Sequence, residues 1–257
     1  MALENNHPIF VDAPDETVIW RYLDLAKYIS LLESKSLFLT RIDLLGDPAE
    51  GHYTKLDRLL AQQNPSLNSH LKNLSKARKM YYASCWHMNQ RESASMWSVY
   101  TTTDKGIAIS ATVGKLKEAL KLDPRILYFG KVNYIDRDLE HIEMDNVFRA
   151  VVSKGKFYEY ENEIRLIHWL SGQLLDESNN PTIESSYNKT EYLYGDSPTP
   201  GGLLFGVDVD KLIEKVVIAP YVPQWLYDLF FSMTKQYGFN ELVEKFQWSS
   251  MKEEFFE

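Results

Sequence analysis

Seven residues, Glu159-Tyr160-Glu161-Asn162-Glu163-Ile164-Arg165, constrain the fold more than any other segment of the chain. If they are extended, a period of two places Glu159, Glu161, Glu163 and Arg165 on one face and Tyr158, Tyr160, Ile164 and Leu166 on the other. One face then suits a core and the other suits chemistry. Like charges at this spacing raise each other's pKa and require a cation, which Arg165 supplies in part. The segment is therefore a candidate for acid, base or electrostatic work; the competing reading is a solvated edge strand with a salt bridge. The apolar run that follows predicts a strand over 163–170. The sequence before it predicts a helix over roughly 139–157, with Ile142, Val147, Val151 and Phe157 facing inward, so the acidic cluster falls at a helix-to-strand junction.

Elsewhere, hydrophobic patterning predicts short strands at 18–23, 36–43, 81–87, 106–111, 126–134, 203–209 and 215–219. Asp24 is placed to cap a helix carrying Leu25, Ile29, Leu31 and Leu32, and further helices are expected over 113–120 and 223–237. Gly46-Asp47-Pro48 closes the second strand, and polar, helix-prone sequence continues to about residue 79. Residues 171–202, with Asn179-Asn180-Pro181, Pro198, Pro200 and Gly201-Gly202, have no periodicity and read as a long irregular loop. Strands and helices mix without regular alternation, which predicts an α+β fold rather than a doubly wound parallel sheet. With 257 residues, 44% of them hydrophobic, one domain spanning 1–257 accounts for the length.

Composition removes several classes. No apolar run reaches the length of a membrane span, and the N-terminal sequence lacks the basic start and apolar core of a signal peptide, so a cytoplasmic protein without membrane association is expected. The formal charge of −8 argues against broad affinity for nucleic acid, although Lys72, Lys76 and Lys79 could form one local basic face. The single cysteine, Cys85, excludes an internal disulfide and a cysteine-rich zinc site, and its apolar surroundings suggest a small core filler. The six histidines show no pair at ligand spacing, so no metal is expected. Phosphate-loop, dinucleotide-loop, zinc-protease and serine-hydrolase signatures are all missing.

Two further groups stand out. In Cys85-Trp86-His87 through Met96-Trp97-Ser98-Val99-Tyr100, Trp97 and Tyr100 lie three residues apart and share a helix face. They could clamp a flat ring or simply join the core. In Trp20-Arg21-Tyr22 an arginine interrupts an apolar strand and must meet an anion, either a structural partner such as Asp47 or Glu50 or a ligand phosphate.

Taken in order, Trp20-Arg21-Tyr22, Leu37-Phe38-Leu39-Thr40 leading to Asp47-Pro48-Ala49-Glu50, Cys85-Trp86-His87 with Met96-Trp97-Ser98-Val99-Tyr100, Gly106-Ile107-Ala108-Ile109 and Tyr160-Glu161-Asn162-Glu163-Ile164-Arg165-Leu166 resemble a large bacterial family known as a domain of unknown function. That pattern in turn resembles ADP-ribosyltransferase-fold toxins, especially the branch that modifies DNA. The resemblance implies two small mixed or antiparallel sheets with flanking helices and NAD bound between them as a substrate. It implies that Arg21 contacts the phosphates or adenosine ribose, that Tyr22 also belongs to the NAD-binding set, that Trp97 and Tyr100 pack on nicotinamide, and that Glu161 or Glu163 bonds the ribose and stabilises its developing cation. The other glutamate would be the base, and Arg165 would orient the pair. A bacterial toxin or antiviral effector would follow, with a nucleic acid or protein acceptor and an antitoxin or other inhibitor protein as a partner. Two other readings stay open: a phosphodiesterase or nuclease using Glu159, Glu161 and Glu163 around magnesium, and a non-catalytic binding module.

Overall fold

A computed structural model describes residues 2–3, 7–121, 123–170, 174–175, 181–182 and 200–252. Most of the expected 171–202 loop, and the acidic end at 253–257, lie outside the described residues. The fold is mixed α/β, and the strands other than two short pairs join one ten-stranded mixed sheet. In chain order they are β1 (Ala2–Leu3), β2 (Val18–Leu23), β3 (Ser36–Arg41), β4 (Tyr81–Met88), β5 (Ile107–Thr112), β6 (Ile126–Lys131), β7 (Asn133–Ile135), β8 (Ser153–Gly155), β9 (Glu163–Trp169), β10 (Leu174–Leu175), β11 (Pro181–Thr182), β12 (Gly202–Gly206), β13 (Lys215–Ile218) and β14 (Phe246–Trp248). The helices are α1 (Leu25–Ser34), α2 (Lys55–Gln62), α3 (Pro65–Ala77), α4 (Ala94–Tyr100), α5 (Val113–Ala119), α6 (Phe148–Val151), α7 (Val209–Leu212), α8 (Gln224–Gln236) and α9 (Asn240–Val243).

Along its main path the sheet runs β1-β6-β9-β4-β2-β5-β13-β14, while β3 pairs with both β4 and β12. This fork replaces the two small sheets expected from sequence. Strand β4 pairs with β9 from Tyr81↔Trp169 to His87↔Glu163 along one edge. On its other edge Ala83 and Tyr82 pair with β3, and His87 and Met88 pair with β2. Residues 84–86 have neither strand opposite them there. Strands β2 and β3 splay apart over this gap, and a cleft opens above it.

The core follows the strand periodicity. Ile19, Leu37, Leu39, Tyr82, Trp86, Ile107, Ile109, Leu166 and Val216 are fully or almost fully buried. Asp24 caps α1 by accepting a hydrogen bond from the Lys27 N–H at 2.8 Å, as the sequence suggests. Tyr28 on α1 bonds the Thr234 hydroxyl of α8 at 2.8 Å, tying these two buried helix faces together. A smaller cluster of Tyr53, Ala61, Leu71, Ile135, Ile142 and Ala150 packs α2 and α3 against β7 and α6. Lys72 and Lys76 are exposed on α3, and Lys79 lies exposed just beyond it, an ordinary solvated face. No helix among the described residues is long and apolar enough to cross a membrane.

The expected helix over 139–157 is corrected. Only Phe148–Val151 is α-helical, Ser153–Gly155 is strand β8, and Lys156–Glu161 is a 3-10 helix. Asn146 accounts for part of the difference: its side chain accepts from the Phe148 N–H at 3.0 Å, so a local side chain satisfies a backbone donor that a continuous helix would have used. Phe157, expected inward, is 91% exposed.

Candidate active site

The cleft over the fork encloses about 570 Å3. Trp20, Arg21 and Tyr22 of β2 line it, together with Thr40 of β3, residues 44–47 and Glu50, and Cys85, Trp86 and His87 of β4. Met96, Val99 and Tyr100 of α4 close one side, and Lys154, Tyr158, Tyr160, Glu161 and Glu163 close another.

Glu161 and Glu163 reach the same cleft by a device that simple alternation does not provide. Glu161 ends the 3-10 helix, and Asn162 then adopts the left-handed conformation at φ 38°, which turns the chain into β9. Asparagine is among the few residues that take this conformation at low cost. It is clamped to β4 as well: its side-chain amide donates to the Met88 carbonyl at 2.6 Å, and its own carbonyl accepts from the Met88 N–H at 2.9 Å. Glu159 lies a turn earlier and is exposed, so the single face of three glutamates expected from an extended segment does not form.

The two remaining carboxylates have different environments. Both oxygens of Glu163 are taken: Arg165 Nε donates to Oε1 at 2.9 Å and Arg165 Nη2 to Oε2 at 3.0 Å, while Lys154 Nζ lies 3.3 Å from Oε2. Glu161 accepts at Oε2 from Lys154 Nζ at 2.6 Å and from the Tyr100 hydroxyl at 2.7 Å. Its Oε1 has no protein partner among the described residues. Glu161 thus presents an open oxygen to the cleft, and Glu163 does not.

Behind them lies a buried ion network. Arg165, fully buried, donates to both oxygens of Glu50 at 2.9 and 2.8 Å and to the Val151 carbonyl at 2.7 Å. Lys154 approaches Glu50 at 3.4 Å. Three carboxylates facing two cations leave this network one net negative charge. Burial alone would raise the pKa of Glu163, but the charge and hydrogen bonds of Arg165, helped by Lys154, bring it down to about 2. Burial likewise works against the Lys154 cation, yet Glu163 and Glu50 hold its pKa well above the usual lysine range. Burial and the adjacent Glu161 and Glu163 push the Tyr100 phenol far above its ordinary value, so it stays a hydrogen-bond donor.

Arg21 contrasts with Arg165. Its Nη2 donates to the Phe38 carbonyl of β3 at 3.0 Å, which bridges the splayed strands. Neither of its expected partners, Asp47 nor Glu50, pairs with it, and among the described residues no carboxylate lies within salt-bridge distance. Burial lowers its pKa to about 10, which still leaves a cation at neutral pH. A guanidinium that lines a cleft with no carboxylate at salt-bridge distance is suited to an anionic ligand.

Of the aromatic pair on α4, Tyr100 lines the cleft and Trp97 does not. Trp97 is fully buried, stands edge-on to Tyr22 at 4.9 Å, and donates its indole N–H to Glu92 at 2.9 Å. It supports Tyr22 from behind, and its place as a ring clamp is not realised. Tyr22 lines the cleft while its hydroxyl accepts from the Ser93 N–H at 2.8 Å, fixing the start of α4. Cys85, expected as a buried filler, is partly exposed in the cleft, and burial together with Glu163 pushes its thiol well above its ordinary pKa. That makes it a poor nucleophile.

Sequence reasoning assigned no role to Lys154, to Glu50 as the partner of Arg165, to His87 or to Tyr134, whose hydroxyl accepts from the Glu163 N–H at 2.8 Å. Lys154 fell inside the expected helix, and the other contacts link residues distant in sequence. The acids also fit a divalent ion poorly. Glu50, Glu161 and Glu163 already converge on an ammonium and a guanidinium, and Glu159 stands apart.

No protein-family model matches the chain, and no curated protein or solved structure matches it.

Proposed function

We propose that the protein is an NAD-consuming ADP-ribosyltransferase working in the cytoplasm, as a bacterial toxin or antiviral effector would, on a nucleic acid or protein acceptor. One observation carries the reading: a fixed carboxylate with an open oxygen, Glu161, shares a cleft with an acid-free guanidinium, Arg21. Loss of nicotinamide leaves positive charge on the ribose carbon. A carboxylate held beside that carbon stabilises the transition state more than the ground state. In this reading Glu161 Oε1 accepts from a ribose hydroxyl and faces the developing charge. Lys154 and Tyr100 hold Oε2, so the carboxylate does not reorganise as the charge appears. Arg21 takes the phosphates, and the exposed part of the Tyr100 ring offers a face to the nicotinamide. Glu163, with Arg165, fixes this arrangement from behind.

The phosphodiesterase reading gains no support, because Glu50 and Glu163 are held by Arg165 and Lys154 and Glu159 stands apart from the other two acids. The test is incubation of wild-type protein with NAD, following nicotinamide release with and without a chelator. Release that is insensitive to the chelator is expected; no release together with no calorimetric binding of NAD would remove the proposal. Arg21→Gln should weaken NAD binding about 10–100-fold, the range for losing a charge-assisted contact. The calorimetric Kd measures this directly, and an unchanged Kd would remove Arg21 from the phosphate role.

A further inference from the structure

We propose that the acceptor is a protein segment carrying lysine or arginine, docked on an aromatic and acidic rim of the cleft formed by Phe157, Tyr160, Glu159 and Asp47. This rests on the ADP-ribosyltransferase reading and chooses between its two acceptor classes. Lys156–Glu161 is a 3-10 helix, in which side chains three residues apart eclipse one another. Tyr158 and Glu161 therefore share one face, and Phe157 and Tyr160 share another. Tyr158, Tyr160 and Glu161 all line the cleft, so the face of Phe157 and Tyr160 starts at its mouth and runs outward. Phe157 is 91% exposed and Tyr160 48%, which leaves two aromatic rings in solvent within a few residues of the Glu161 carboxylate.

Charge decides what these rings fit. Lys156, on the same helix, donates to Glu140 at 2.7 Å and also feels Asp136 and Glu159. One cation among three acids leaves this side of the mouth negative. Asp47 lines the cleft and is the main charge raising the Tyr158 phenol above its ordinary pKa, which places its carboxylate at the same mouth. One Asp47 oxygen accepts from the Ala49 N–H at 2.8 Å; among the described residues no cation pairs with the carboxylate. Lys27, the exposed lysine of the cleft lining, is already paired with Asp24 at 3.1 Å. Arg21 is taken by the NAD phosphates. Aromatic faces bordered by carboxylates attract ammonium and guanidinium groups, and the same carboxylates repel a phosphate backbone. A nucleic acid would need a track of cations leading to the cleft, and this rim offers acids.

In the transfer, the bond from ribose C1′ to the nicotinamide nitrogen breaks and its electron pair leaves with nicotinamide. A bond forms to C1′ from a nitrogen or oxygen of the docked segment, and the proton that this atom gives up passes to solvent.

The test supplies NAD together with a glycine-serine peptide bearing lysine and arginine, or with a single-stranded oligodeoxynucleotide or oligoribonucleotide, and follows nicotinamide release and the mass of the acceptor. The peptide should gain ADP-ribose and the oligonucleotides should not. Phe157→Ala removes a ring that stands in solvent, so folding is not at stake, and it should lower kcat/KM for the peptide about 5-fold, the size of one cation–aromatic contact. Glu159→Gln should flatten the fall of that kcat/KM with added salt. Labelling of an oligonucleotide in place of the peptide, or NAD hydrolysis with neither labelled, would overturn the inference and leave the transferase reading standing. Peptide labelling that neither substitution alters would overturn the assignment to this rim. Wild-type protein that neither binds nor consumes NAD would instead overturn the underlying reading, and the inference with it.

Discussion

Replacing Arg165 with leucine should cost about 3–5 kcal/mol of folding stability, the usual penalty when one partner of a buried ion network is removed. The substitution strips Glu50 of both its guanidinium bonds and Glu163 of two more, and leaves the Val151 carbonyl without its donor. Lys154 alone would then face three carboxylates. Urea unfolding followed by circular dichroism measures the loss; a change below about 1 kcal/mol would show that the network is not under the constraint described. The same network sets a pH dependence. The pKa of Glu163 is depressed in the folded state to about 2 from an ordinary glutamate value of 4.5, so its stabilising contribution is present above about 4.5. It should fade as the pH drops from there through about 2. Stability curves measured across that window should slope downward toward acid, with a shallower slope in a Glu163→Gln variant.

Glu161→Gln should have the second large effect, on turnover instead of folding. Glutamine is nearly isosteric and its amide can still meet Tyr100, but it carries no charge to oppose a ribose cation. Loss of a preorganised electrostatic group of this kind typically lowers kcat by about 10²–10³-fold. Nicotinamide release should drop by that factor, whereas the Kd for NAD should change little because the contact strengthens mainly in the transition state. Glu163→Gln should reduce both stability and activity, since its oxygens hold Arg165 and Lys154. A turnover loss confined to Glu163→Gln, with Glu161→Gln unaffected, would reverse the assignment of the two acids.

Much of this was legible in the chain. The strands around Trp20, Tyr82, Ile107 and Leu166 announce themselves by apolar runs bounded by turn residues, and Asp24 marks its helix. Glu161, Glu163, Arg165, Arg21 and Tyr100 are charged or polar groups set within or beside apolar segments, a pattern costly without a use. What the chain concealed depends on distance or on local backbone. Ile142, Val147 and Val151 mimic a helix stripe, but the Asn146 side chain takes up the Phe148 N–H that such a helix would use. Asn162 looks like filler between two glutamates, and only its left-handed turn brings both acids into one cleft while leaving Glu159 outside. Trp97 shares a helix face with Tyr100 in sequence, yet its greater apolar bulk draws it beneath Tyr22 into the core. The fork at β4 could not be read, because it depends on which ends of two separate strands meet Ala83 and His87.

In the proposed reading an anchored Glu161 carboxylate stands beside the sugar carbon of an NAD held by Arg21. A crystal structure of the Glu161→Gln protein with NAD tests this most directly. The nicotinamide ribose should lie within hydrogen-bond reach of the residue-161 side chain, with phosphate oxygens on the Arg21 guanidinium. NAD bound elsewhere, or bound in the cleft with its ribose turned away from residue 161, would contradict it.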